Sequence, residues 1–207
     1  MLPNWIYYFI GKKSGGDTPT PPEPPPTGDK FKLVNGISFR GTSLEYFPDS
    51  FGNTIDVSEL TSIAYMFAEC VYLVEPPLFD TSNVTTMTHV FDNCTSLTTI
   101  PAYNTSKCER FGRFCYVGNL TNVPVLDMSS VSDYNDYGQA FGNNNCTTLT
   151  DTSLDNILVS LMTITDPRVS SSKKQLSRAI ANYSYYSSRI PNLPHYQAFL
   201  DAGWTIS

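Results

Sequence analysis

Two stretches of this chain, DVSELTSIAYMFAEC at 56–70 and DTSNVTTMTHVFDNC at 80–94, lie over each other without a gap at an offset of 24 residues. They share Asp56/Asp80, Ser58/Ser82, Phe67/Phe91 and Cys70/Cys94, and pair Leu60 with Val84 and Ile63 with Met87. LVEPPLFDTS (73–82) falls over LTTIPAYNTS (97–106) at the same offset, and over LTNVPVLDMS (120–129) at a further 23. An earlier copy is visible at LEYFP (44–48), and a last one runs from Phe141 through Cys146 to Leu149. A unit this short cannot bury its own apolar side, so a chain built from such units must stack them.

Each unit reads in three parts. L-x-x-[IVF]-P is a short apolar stretch closed by proline, which suits a brief strand. The Asp/Asn-x-Ser that follows offers acceptors for the free N–H groups of a helical turn. Val84, Met87 and Phe91, like Leu60, Ile63 and Phe67, fall at i, i+3 and i+7, the face of a short helix. The expected architecture is a ladder of short parallel strands with helical turns behind it. After Thr150 the pattern changes. SLDNILVSLM (153–162) places Leu154, Ile157, Leu158 and Leu161 along one helical face. KKQLSRAIANY (173–183) reads as a second helix and HYQAFLDAG (195–203) as a third, before Trp204 and Ile206. A stack exposes its last apolar layer unless something covers it, so 151–207 is assigned as a helical C-terminal cap.

Ahead of the repeats lies a different kind of sequence. Residues 11–30 (GKKSGGDTPTPPEPPPTGDK) have almost nothing to bury and favour extended polyproline II, a semi-rigid stalk. Residues 1–10 (MLPNWIYYFI) are apolar but far shorter than the roughly 20 residues of a membrane span. They lack the leading charges and the small-residue cleavage site of a secretory signal. Leu2, Trp5, Ile6, Tyr7, Tyr8, Phe9 and Ile10 are therefore read as a retained peptide that docks into a protein groove or onto a sheet edge. The expected domains are 1–10 docking peptide, 11–30 stalk, 31–150 repeats and 151–207 cap.

Composition narrows the partners. The chain has 13 Lys and Arg against 19 Asp and Glu, and no Lys or Arg occurs between Gly41 and Ser106. An acidic surface repels phosphate backbones, so nucleic acid is not an expected partner. The acidic residues lack the spacing of a calcium loop, and the five Cys form no CxxC, so no metal or other cofactor is expected. Two Cys recur at equivalent repeat positions, as small buried thiols would. His89 occupies the place of Tyr65 in the previous copy and is expected to face solvent. His195 lies in the cap, and neither His has an accompanying nucleophile motif. With no P-loop, GxGxxG or HExxH, an enzyme is not expected. Of six N-x-[ST] sequons four belong to the repeat pattern, and none is read as a glycan site. Tyr103, Tyr116, Tyr134 and Tyr137 cluster where the repeat departs from its consensus. They either fill a lengthened unit or form a ligand surface, since Tyr suits adaptable polar recognition.

The motif carried by Met66, Phe67, Cys70 and Leu73, then Pro77, Asp80 to Val84 and Met87, then Phe91, Cys94 and Leu97, resembles the BspA-like leucine-rich repeat of bacterial surface proteins, also widespread in phages of gut bacteria. The resemblance covers about 44–150 and implies an α/β leucine-rich-repeat solenoid, one short strand plus one helical turn per unit. The close on QAFLDAGWTI also resembles the ends of phage-encoded members. It implies a structural or adhesion component of a tailed-phage virion, a head fibre, collar or tail decoration protein. Its implied partners are capsid, collar or tail proteins and host polysaccharide or mucin glycan. The alternative implied is a bacterial cell-surface adhesin.

Overall fold

The computed structural model describes residues 31–32, 35–36, 38–42, 44, 55–56, 59–76, 78 and 80–206. The expected docking peptide (1–10) and stalk (11–30) lie outside the described residues. Two strands, β1 (Phe31–Lys32) and β2 (Ile55–Asp56), pair in parallel. Among the described residues the α-helices follow the repeats: α1 (Asp151–Met162), α2 (Leu176–Ala179), α3 (Tyr183–Tyr186) and α4 (Tyr196–Asp201).

The repeats therefore do not build the expected α/β leucine-rich-repeat solenoid. Among the described residues between 59 and 150 there is no α-helix and no strand longer than an isolated bridge, only a 3-10 turn at Tyr134–Tyr137. What the units build instead is a column of tandem turns. In one copy the N–H of Met66, Ala68 and Cys70 donates to the carbonyl three residues back. The alternate residues Ile63, Tyr65, Phe67 and Glu69 donate to Thr86, Thr88, Val90 and Asp92 of the next copy, at 2.7–3.1 Å. The same four positions one repeat on, Met87, His89, Phe91 and Asn93, donate to Arg110, Gly112, Phe114 and Tyr116. Single parallel bridges mark this register: Ser62 to Thr86, then Thr86 to Arg110.

A helix is excluded by the backbone itself. Tyr65, His89 and Arg113 have φ of 58°, 55° and 51°, and Glu69 and Asn93 have 62° and 60°. An α-helix cannot pass through a left-handed residue, and holding a side chain there costs roughly 1–2 kcal/mol. Tandem turns bring the chain back to one face every three or four residues, which is why their apolar spacing imitates a helix. The strands fail for a second reason: the prolines remove ladder donors, and each is soon followed by an Asx turn. Asp80, Asn104 and Asp127 accept the N–H of Ser82, Ser106 and Ser129 at 3.0, 3.2 and 2.9 Å. The expected acceptors are in place, but they close turns rather than helices.

Stacking puts like on like. Phe39, Phe67 and Phe91 form a ring column with centroids 5.5 and 5.8 Å apart and nearly parallel planes, closed edge-on by Phe114. Cys70 Sγ and Cys94 Sγ each donate to a carbonyl of the preceding copy, Phe39 and Phe67, at 3.0 Å. All five Cys are free and buried. Burial pushes the Cys94 and Cys108 thiols up to about 12, since a thiolate there would lose its hydration.

Helix α1 starts where the turns stop, its N-terminus capped by Thr150 Oγ1 accepting from Ser153 N. Leu154, Ile157, Leu158 and Leu161 are buried against the stack. Its polar ridge also takes up the stack's last free backbone edge. Ser153 Oγ accepts from Val123 N, Ser160 Oγ from Leu126 N and Thr163 Oγ1 from Met128 N, at 3.0, 2.8 and 2.7 Å. Asn156 Nδ2 donates to Val123 O at 2.8 Å. The expected helix over 173–183 is broken in two at Ile180, whose backbone extends to bridge Phe141. One continuous apolar core runs from Phe39 to Trp204.

Candidate functional site

The left-handed position of each coil throws its side chain outward, and the positions line up along the column. Tyr65, His89, Arg113 and Gln139 (φ 52°) occupy it in successive copies. The Tyr65 ring lies flat on the His89 ring, centroids 4.6 Å apart and planes 8° from parallel. Arg40 also stands over the Tyr65 ring at 5.8 Å and pairs with Glu69 at 2.6 Å.

Asp92 ties the middle of this strip together. Its Oδ2 accepts from His89 Nδ1 at 2.8 Å and its Oδ1 from Arg113 Nη2 at 3.3 Å. The Asp92 side chain is only 13% exposed, while those of His89 and Arg113 are 24% and 37% exposed. Arg113 also lies over the Tyr116 ring at 4.0 Å, and its buried Nε has no hydrogen-bond partner. Beyond it Arg110 faces Asp136 at 3.9 Å, whose carboxyl is held above the usual carboxylate range by burial, against the pull of Arg110. The strip is amphoteric: guanidinium and carboxylate alternate beside aromatic edges, an arrangement suited to hydrogen bonding rather than to covalent chemistry.

The four tyrosines singled out in sequence are not brought together on a surface. Tyr103 is buried and its ring packs against Phe91 and Phe114, so burial carries its hydroxyl far above the ordinary tyrosine value. Tyr137 is fully buried, donates to Lys173 O at 2.7 Å and packs edge-on against Trp204, and burial pushes it up to about 12. Tyr103 fills the core between regular copies, and Tyr137 fills it beneath the lengthened unit. Tyr116 is half-buried under Arg113, and the Tyr134 side chain lies outside the described residues, as do Leu2, Trp5, Ile6, Tyr7, Tyr8, Phe9 and Ile10. His89 does not simply face solvent but is held between Tyr65 and Asp92. His195 pairs with Asp155 at 2.7 Å on the outside of α1. Sequence reasoning passed over Tyr65, Asp92 and Arg113. Nothing in the repeat pattern singles them out, since the positions flanking Tyr65, His89 and Arg113 change from copy to copy as well.

Among the described residues no group of three His, Cys, Asp or Glu could hold a metal ion, and no helix is long and apolar enough to cross a membrane.

Residues 39–149 match a family model described as "Mycoplasma protein of unknown function, DUF285". The chain belongs to this family. The DUF285 match begins at Phe39, the first ring of the buried column, and ends at Leu149, one residue before the cap of α1. The family unit thus coincides with the column of turns and leaves the helical region outside. No curated protein and no solved structure matches the chain significantly.

Proposed function

We propose that this chain is a non-catalytic structural and adhesion component of a tailed-phage virion, a head fibre, collar or tail-associated decoration protein of BspA-like type. The apolar peptide 1–10 docks into a capsid, collar or tail protein, the proline-rich stretch spaces it off, and the column of turns displays a host- or glycan-binding face. The observation that carries the reading is the contrast along the chain. WIYYFI is followed by TPTPPEPPP, then by a stack whose backbone hydrogen bonds run from each copy to the next. A short apolar peptide rich in aromatic residues suits a protein groove or a sheet edge. Its test is a mass-spectrometric search for the chain in purified particles, paired with deletion of residues 1–16. The reading expects the full chain in virions and its loss on deletion. Incorporation of the truncated chain at the normal level contradicts docking through the peptide.

A second reading is favoured by the family match, whose description names a bacterium. On it the chain is a bacterial cell-surface adhesin. Surface labelling of intact host cells lacking the phage separates the two.

A further inference from the structure

Three features of the described surface compete for a role. One is a shallow groove of about 390 Å³ lined by Val74, Glu75, Pro76, Thr98, Thr99 and Pro101, which offers a single charge and nothing that converges. Another is the acidic group around Asp133 and Asp136, already spent on Asn135 N and Arg110. The third is the left-handed row, where non-glycine side chains sit on a strained backbone in four coils.

A left-handed backbone site is the natural place for Gly or Asn. This stack uses Gly at Gly41 and Gly142, with φ of 68° and 70°. Yet four coils in succession hold Tyr65, His89, Arg113 and Gln139 there, and Gln139 is exposed with no stacking partner to offset the strain. Strain repeated at one register position in four coils, where a glycine would relieve it, points to side chains kept there for contact.

We infer that the row Tyr65, His89, Arg113 and Gln139, with Asp92 and Glu69 beside it, is the binding site for one chain of a linear polysaccharide lying along the column. This rests on the display role proposed above and supplies its ligand class and its residues. The spacing decides the class. Coils joined by backbone hydrogen bonds rise by about 4.8 Å, and the Tyr65 and His89 rings are 4.6 Å apart. That rise is comparable to one pyranose ring, so each coil meets one sugar. Same-face side chains of an extended peptide recur every two residues, at about 6.7 Å, and drift out of step with the row. The part-exposed Arg113 guanidinium and the exposed Gln139 amide offer donors and an acceptor to sugar hydroxyls, while Tyr65 presents its hydroxyl and ring edge.

The test uses the purified full-length chain on immobilised linear β-glucan, polygalacturonate and, as a peptide control, polyglutamate. The wild type is expected to be retained by at least one polysaccharide. His89→Asn, Arg113→Asn and Gln139→Asn keep a residue that tolerates the left-handed backbone, and each should weaken retention about tenfold, the scale of one lost pair of hydrogen bonds. The urea midpoint of Gln139→Asn should not fall, which keeps the test valid if the other two variants destabilise the stack. Retention by neither polysaccharide, retention by polyglutamate alone, or unchanged binding by Gln139→Asn overturns the assignment. A chain present in virions that binds no polysaccharide refutes this inference and leaves the virion role standing.

Discussion

The column of turns and the helical region after Thr150 solve the same problem, paired backbone in a dry core, in opposite ways. In the column every second N–H reaches into the next copy, so no coil is complete without its neighbour. Helix α1 pairs its own backbone and has side-chain hydroxyls to spare, and it gives them to the last coil through Ser153, Ser160 and Thr163. The comparison teaches that a stack of identical units needs an end made of something else. A further coil would only move the open edge along, whereas a helix with a polar ridge ends it.

The largest expected effect breaks the column at its centre. Phe91 is fully buried between Phe67 and Phe114, so Phe91→Ala should cost about 3–5 kcal/mol in urea unfolding. Because the core is continuous into α1, helical circular dichroism should be lost in the same transition. Two separate transitions would show that the regions fold independently.

The second difference is in titration. Thiols of the column have raised values, Cys94 and Cys108 reaching about 12 from an ordinary value of 9.0, with burial the main cause. A group raised in the folded state contributes stability that is complete below its unfolded value and is lost as pH rises towards its folded value. Stability should therefore fall between pH about 9 and about 12, by at most about 1.4 kcal/mol per pH unit for each thiol. Cys94→Ala should flatten that slope, measured as the urea midpoint against pH. An equal slope in the variant would place the alkaline loss elsewhere.

A smaller effect tests the seam. Ser160→Ala leaves the buried Leu126 N–H without its acceptor and should cost about 1–3 kcal/mol. By contrast Ser187→Ala, an exposed hydroxyl just past the end of α3 that donates to Ser184 O, should fall within about 0.5 kcal/mol of wild type.

The repeat, its register and the buried Phe and Cys positions were legible because identity at a fixed spacing survives any local geometry. The local geometry was not. Val84, Met87 and Phe91 have the spacing of a helix, and nothing in the letters Tyr65 or His89 announces a left-handed backbone, which sequence normally signals with Gly or Asn. The same blindness hid the candidate site. Tyr103 and Tyr137 drew notice as aromatics beside an irregular unit, but the irregular unit is wide and needs large side chains in its core. The strip that does face outward is set by backbone handedness. The cap was easier to read, since Leu154, Ile157, Leu158 and Leu161 lie on a true helix, although the break at Ile180 depends on pairing with Phe141, far away in sequence.

The smallest effect has the opposite sign. Gln139→Gly removes a strained side chain from an exposed left-handed site and should raise stability by up to about 1 kcal/mol. The same change in α1, Asp155→Gly, should lower it by a similar amount or more, since glycine weakens a helix interior and Asp155 also holds His195.

The central claim is that the repeats pair across copies and not within a helix. Scalar couplings across hydrogen bonds, read by NMR on labelled protein, measure this directly. The account predicts couplings from the Ile63 and Met87 nitrogens to the carbonyl carbons of Thr86 and Arg110, and from Tyr65 and His89 to Thr88 and Gly112. Couplings from Phe67 and Phe91 to the carbonyls four residues before them, as in an α-helix, would contradict it.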